Sequence, residues 1–207
     1  MRIVVTRPDD QADPLVARLE ELGHEVVRCP LIRIESLADE PIDPSPYDWV
    51  VVTSRNGARE LARRLAGRPQ RIAAIGPGTA EALREHGLDA DLVPAIHTQE
   101  GLLAELPPGR VLLAAAEGAR RLLVDERGAD FLPLYRTVEL QPPAPVGDVA
   151  LLASASAARA LAATGARLPV VAIGPQTAAE ARERGLDVVA VAESHDVEGL
   201  LDVVSSL

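Results

Sequence analysis

Short continuous apolar runs alternate with amphipathic stretches along the whole chain. Ile3-Val4-Val5, Trp49-Val50-Val51-Val52, Ile72-Ala73-Ala74-Ile75, Val111-Leu112-Leu113, Val149-Ala150-Leu151-Leu152 and Val170-Val171-Ala172-Ile173 lack the polar alternation of a half-exposed strand. Runs of this kind suit strands buried on both faces of a parallel sheet. Between them, Leu15, Val16, Leu19 and Leu22 recur at helical spacing, as do Ala58, Leu61, Ala62 and Leu65. Gly23, Gly87, Gly128 and Gly185 each close a helical stretch and are expected to be left-handed caps. The alternation predicts an α/β protein built on open parallel sheets flanked by helices.

The pattern also repeats. Ile75-Gly76-Pro77-Gly78-Thr79-Ala80 returns as Ile173-Gly174-Pro175-Gln176-Thr177-Ala178, and His97-Thr98-Gln99-Glu100-Gly101-Leu102-Leu103 as His195-Asp196-Val197-Glu198-Gly199-Leu200-Leu201. Thr53-Ser54-Arg55-Asn56-Gly57-Ala58-Arg59 matches Ala153-Ser154-Ala155-Ser156-Ala157-Ala158-Arg159, while Gly23, Pro30 and Glu35 pair with Gly128, Pro133 and Glu139. A period near half the chain is too long for a solenoid and predicts two related units. A site shared by two such units is the first place to look for function. Pro41-Ile42-Asp43-Pro44-Ser45-Pro46 and Pro142-Pro143-Ala144-Pro145 occupy corresponding places, each after an extended stretch. If both are crossings, the middle of the chain forms one domain and the two ends the other. A boundary at Pro107-Pro108-Gly109 would give sequential domains instead; the pattern leans to the interleaved version.

Composition narrows the chemistry. All 21 positive charges are arginine, which excludes Schiff-base, pyridoxal-phosphate and P-loop lysines. The single cysteine, Cys29, excludes an internal disulfide and a cysteine-rich zinc site; it is expected inside an apolar strand as a small buried hydrophobe. Aromatic residues make up 2 % of the chain, too few for stacking on single-stranded nucleic acid, and a net charge of −10 disfavours DNA and anionic membranes. No apolar run is long enough to span a bilayer, and the amino terminus is read as a first strand instead of a signal peptide. A soluble, cytoplasmic monomer is expected.

An anionic ligand would therefore need a locally built site. Each Gly-Pro-x-Thr element follows a buried strand and opens a helix, with proline at the first helical position. That leaves the amides of residues 78–79 and 176–177 near a free helix N-terminus, beside the Thr79 and Thr177 hydroxyls. A plain helix start explains one copy equally well; two copies in register favour a site in which Gly76, Thr79, Gly174 and Thr177 meet a ligand. Thr53, Ser54 and Ser154 end strands in the same way. Ser54 and Ser154 suit N-caps worth ~1 kcal/mol, and a carboxylate would use the same amides. Arg55 adds a cation that the second copy lacks, and Arg7 after the first strand is a candidate for the same crevice, with a solvated arginine as the alternative. His97 and His195 precede the N-caps Thr98 and Asp196 and are read as loop residues. There is no metal-ligand spacing, no defensible catalytic triad and no obvious acid–base carboxylate pair.

The opening Val-Thr-Arg-Pro, Asp48-Trp49-Val50-Val51-Val52-Thr53-Ser54-Arg55-Asn56-Gly57, the two Ile-Gly-Pro-x-Thr-Ala elements, Tyr135-Arg136-Thr137 and the closing His-Asp-x-x-Gly-Leu-Leu stand in an order that resembles the uroporphyrinogen-III synthase family over essentially the whole chain. The resemblance implies two α/β domains joined by a two-stranded connector: residues 1–32 with 140–207, residues 37–133, and connector strands near 31–36 and 134–139. It implies a cofactor-free and metal-free reaction on a polycarboxylate linear tetrapyrrole, in which hydroxymethylbilane loses water and closes with its terminal ring inverted to uroporphyrinogen III. The family's favoured acid is a connector tyrosine, and Tyr135 stands at the matching place; packing across the connector is the alternative role. One departure stands out: relatives commonly carry an arginine–glycine turn where this chain has Ala114-Ala115-Ala116-Glu117-Gly118. The rival expectation is a non-catalytic two-domain binding or regulatory protein for a tetrapyrrole or other small anion.

Overall fold

Strands and helices alternate through the computed structural model, which describes residues 1–207. In chain order the elements are β1 (Arg2–Val5), α1 (Asp9–Glu21), β2 (Glu25–Arg28), β3 (Ile32–Ser36), β4 (Trp49–Val52), α2 (Arg55–Arg64), β5 (Ile72–Ala74), α3 (Pro77–Arg84) and α4 (Gln99–Glu105). They continue with β6 (Val111–Ala116), α5 (Leu122–Arg127), β7 (Asp130–Glu139), β8 (Val149–Leu152), α6 (Ala155–Ala163), β9 (Val170–Ala172), α7 (Pro175–Glu183), β10 (Val188–Val191) and α8 (Val197–Ser205). Every apolar run named above supplies a strand, with Ile75 and Ile173 falling just past the ends of β5 and β9. Gly23, Gly87, Gly128 and Gly185 all have φ between 64° and 82°, the left-handed conformation that ends the preceding helix without a Cβ penalty.

The chain forms two compact units, Met1–Arg33 with Thr137–Leu207, and Ile34–Arg136. It passes from one to the other within β3 and β7. The first unit holds a sheet of order β10-β9-β8-β1-β2 and the second a sheet of order β3-β7-β6-β4-β5. Pairings from β2 through β10, and from β7 through β5, are parallel.

Burial on both sheet faces explains the continuous apolar runs. In β4, Val50 and Val52 join the core under α2 and α3, while Trp49 and Val51 join the opposite core with Leu102 of α4 and Leu123 of α5. The first unit does the same: Ile3 and Val5 pack with Leu15 of α1, and Val4 packs with Leu161 of α6. Each fully buried leucine or valine contributes ~1.5–3 kcal/mol of transfer free energy, enough to hold strands of only three or four residues in the sheets. Two sequence expectations fail locally. Leu22 caps α1 and is exposed, because Gly23 has already turned the chain toward β2. Cys29 lies just beyond β2 instead of within a strand; it is buried, and that burial pushes its thiol pKa up.

The helix that follows β4 covers one face and the helix that follows β6 covers the other, although the two strands are neighbours. The same divergence occurs between β1 and β8. In open α/β sheets, ligands bind in the crevice opened at the carboxyl ends of such a strand pair. Each unit therefore has one strand pair at which its chemistry is expected.

Candidate functional site

In the second unit, β4 delivers Thr53 and Ser54 to the start of α2. Ser54 is extended (φ −164°, ψ 158°) and its Oγ accepts the Gly57 amide at 2.9 Å, which makes it the N-cap. A Cβ on Gly57 would lie 3.1 Å from Ser54 Oγ and 3.3 Å from Val52 Cγ1, a tight fit, although the matching cap at Ser154 carries Ala157 in this place. Ser154 repeats the cap in the first unit, accepting from Ala157 N at 3.1 Å. Thr98 and Asp196 cap α4 and α8 through Gly101 and Gly199.

Tyr135 reaches Ser54 by way of an irregularity in β7. The pairing runs Ala115 to Pro133 and then Ala116 to Tyr135, so Leu134 is an extra residue on the β7 side. Proline cannot donate to the ladder and is tolerated in strands at such bulges. Adjacent residues of a regular strand point to opposite faces, yet Leu134 and Tyr135 enter the same core, with Val50, Val52 and Leu61. The Glu117 amide donates to the Tyr135 carbonyl at 2.8 Å and fixes the backbone there. The ring is 5 % exposed, and its Oη lies 2.8 Å from Ser54 Oγ. Burial pushes the phenol above its ordinary value near 10, and the Ser54 hydrogen bond pulls the other way. Tyr135 is thus more deeply buried than a half-exposed connector aromatic, and its hydroxyl is held at a helix N-terminus.

The Gly-Pro-x-Thr elements open α3 and α7 as expected. Gly76 and Gly174 are extended N-caps, Pro77 and Pro175 stand at the first helical position, and neither end has a side-chain cap. Thr79 and Thr177 lie in the first turn and are buried. One detail corrects the expectation: the Thr79 amide closes onto the Gly76 carbonyl at 3.1 Å, so it is not a free donor. Arg55 lies on this side. A Cβ on Gly78 would sit 3.0 Å from Arg55 Nε, and Arg55 Nη2 is 3.6 Å from Glu81 Oε2, so the guanidinium lies over the start of α3. The other copy has Ala155 and Gln176 at these two places. A small residue at one place accompanies a large one at the other in both copies.

His97 and His195 lie in loops before the N-caps Thr98 and Asp196, as the sequence predicts. A Cβ on Gly76 would lie 3.4 Å from His97 Cβ and Cγ, and one on Gly174 would lie 3.0 Å from His195 Cδ2. Each ring is exposed and lies against the glycine that opens α3 or α7. The spacing between each Gly-Pro and its histidine is the same in the two repeats. In the first unit, Thr6 Oγ1 donates to the Leu151 carbonyl at 2.6 Å across the β1–β8 pair, and half-buried Arg7 follows directly. The structure thus brings Thr53, Ser54, Arg55 and Tyr135 to the β4–β6 end, with Gly76 and Thr79 on the adjoining β5–α3 turn. Arg7 and Ser154 lie at the β1–β8 end, with Gly174 and Thr177 on the β9–α7 turn. No three His, Cys, Asp or Glu side chains converge in a way that could hold a metal ion, and no helix is long and apolar enough to cross a membrane.

Known proteins give the arrangement a family. A provisionally named uroporphyrinogen-III synthase of Methanocaldococcus jannaschii is 29 % identical over 151 residues, which cover 67 % of this chain and 63 % of that protein. The chain therefore spans less than two thirds of that relative's length. A provisionally named uroporphyrinogen-III synthase of Archaeoglobus fulgidus is 27 % identical over 100 % of this chain and 99 % of its own length. A crystal structure of a mutant uroporphyrinogen III synthase from the extremely thermophilic bacterium Thermus thermophilus superposes with a TM-score of 0.66 at 22 % identity, covering 100 % of this chain and 98 % of that one, a likeness of fold. The family model described as uroporphyrinogen-III synthase HemD matches residues 13–202, and on that match the chain belongs to the uroporphyrinogen-III synthase family.

Proposed function

We propose that this chain is a uroporphyrinogen-III synthase, converting hydroxymethylbilane to uroporphyrinogen III with loss of one water and inversion of the terminal pyrrole ring. The observation that carries the reading is Tyr135: a buried phenol, with its hydroxyl held by Ser54 at the β4–β6 end where a ligand is expected. The hydroxyl of the substrate is a poor leaving group until it is protonated. As its C–O bond breaks, the electron pair goes to oxygen, which takes the Tyr135 proton and departs as water, while the adjoining pyrrole nitrogen supplies electrons to the carbon. The substituted α-carbon of the terminal ring attacks that carbon and forms a C–C bond. Its older bond to the neighbouring methylene then breaks, the electron pair returns to the terminal ring, and the methylene left behind is stabilised by its own pyrrole nitrogen. The unsubstituted α-carbon of the terminal ring closes onto this methylene, which inverts the ring, and the proton that carbon loses as the ring regains aromaticity restores the phenol. The overall change is loss of one water, with no net oxidation.

A phenol whose pKa is raised is a weak acid, so general acid catalysis is assigned only ~10²-fold here. The remainder falls to holding a flexible chain with its reacting ends together. The substrate carries eight carboxylates. Helix N-termini at Gly76 and Gly174, the Thr79 and Thr177 positions, Thr53, Ser154, and the guanidiniums of Arg7 and Arg55 are the groups assigned to them. Freshly generated hydroxymethylbilane should disappear faster with catalytic amounts of the protein than alone. Binding of the substrate without faster consumption would instead mark a non-catalytic tetrapyrrole binder.

A further inference from the structure

Ser54 occupies a position that capping alone does not explain. Its Oγ uses one lone pair for the Gly57 amide at 2.9 Å, and the hydroxyl hydrogen then needs an acceptor. The only other hydrogen-bond partner of that oxygen is Tyr135 Oη at 2.8 Å, across 81 residues of sequence. Ser154, its counterpart, has Ser156 Oγ at 3.2 Å in that place. The two caps are alike in backbone geometry and differ in what the hydroxyl addresses.

We propose that Ser54 is a positioning residue for Tyr135: held at the start of α2 by the Gly57 amide, it donates its own hydrogen to Tyr135 Oη and leaves the phenolic O–H free to point at the ligand. The reverse direction would spend the phenol's only proton on serine. With serine as donor, the Tyr135 proton goes to the departing oxygen, and the phenolate left behind keeps the Ser54 hydrogen bond. Both groups sit at the N-terminal end of α2, where a developing negative charge is stabilised. The bulge at Leu134 turns Tyr135 toward the start of α2 and so sets up this contact. The inference rests on the reading of Tyr135 as the acid.

The test separates donation from capping. Ser54→Gly keeps a serviceable, uncharged N-cap but has no hydroxyl to donate, and Ser54→Ala loses both functions. Capping alone predicts that the glycine variant behaves as wild type. Positioning predicts that kcat falls by about 10-fold in Ser54→Gly and Ser54→Ala, and that neither change lowers kcat further in a Tyr135→Phe background. An equal fall in both backgrounds would overturn the proposal. The second readout needs no substrate. Tyr47 and Tyr135 are the only tyrosines, so 13C-labelled tyrosine resolves Tyr135, assigned by its loss in Tyr135→Phe. Its tyrosinate signal should develop about one pH unit higher in either Ser54 variant than in wild type. Development at the wild-type pH would refute donation even if the protein makes no uroporphyrinogen III, whereas failure of the synthase reading alone leaves this shift in place.

Discussion

Tyr135→Phe separates the chemistry from the packing more cleanly than any other change in the chain. Phenylalanine keeps the ring in a site that is 5 % exposed and leaves no cavity. The Gly57 amide still bonds to Ser54, so the α2 cap survives, and the loss is one hydrogen bond of 2.8 Å. Such a bond is worth ~1 kcal/mol. A domain stable by ~5–15 kcal/mol remains folded after that loss, so unfolding cannot account for a drop in turnover. If Tyr135 protonates the leaving hydroxyl, kcat should fall ~10²-fold, a barrier increase of ~2.7 kcal/mol. Substrate binding should change little, and residual activity should persist because water can replace part of the function. Steady-state turnover of hydroxymethylbilane, with circular dichroism to verify folding, measures both terms. The pH dependence is a further check. Burial raises the folded phenol above its ordinary value near 10, so the unfolded chain loses that proton first. Stability is complete below pH ~10 and declines as pH rises from there through the raised folded value; Tyr135→Phe should flatten that decline. Wild-type turnover in a folded Tyr135→Phe protein would remove the catalytic role and leave only packing.

Thr79→Ala or Thr177→Ala should weaken uroporphyrinogen binding by ~1 kcal/mol, the worth of one hydrogen bond and about a 5-fold rise in Kd by titration. Complete loss of binding in either folded variant would contradict that. Gly101→Ala and Gly199→Ala should each cost ~3 kcal/mol in urea unfolding, because the added Cβ would lie 1.9 Å from the Ile96 carbonyl oxygen and 2.0 Å from that of Ser194. An unchanged midpoint would show that the turns before α4 and α8 relax freely. Leu134→Ala removes a fully buried side chain at the bulge and should destabilise by ~2–5 kcal/mol, with loss of the Tyr135 titration shift if the bulge straightens.

Strand runs, helix caps and left-handed glycines were legible because each is decided within a few residues. Val50 and Val52 are apolar because one sheet face is buried, and Trp49 and Val51 because the other is; Ser54 and Thr98 announce helix starts through their own side chains. What the chain concealed depends on distant residues. Tyr135 meets Ser54 only because an extra residue in β7 turns it onto the Leu134 face, and Pro133 was the sole local sign of that bulge. The glycines of the repeated His-x-x-x-Gly element appeared as a motif without a reason. The reason is a carbonyl two residues before the cap that leaves no room for a side chain. The Thr79 amide escaped for a similar cause: its bond to the Gly76 carbonyl depends on how tightly the first turn of α3 winds.

The most direct measurement of the central claim is the isomer made from hydroxymethylbilane. The substrate closes unaided to the uninverted type I ring, so the product left after rapid oxidation and chromatographic separation reports what the protein imposes. The account predicts predominantly uroporphyrin III at catalytic protein concentrations. Type I product at the uncatalysed rate, with substrate binding demonstrated, would contradict it.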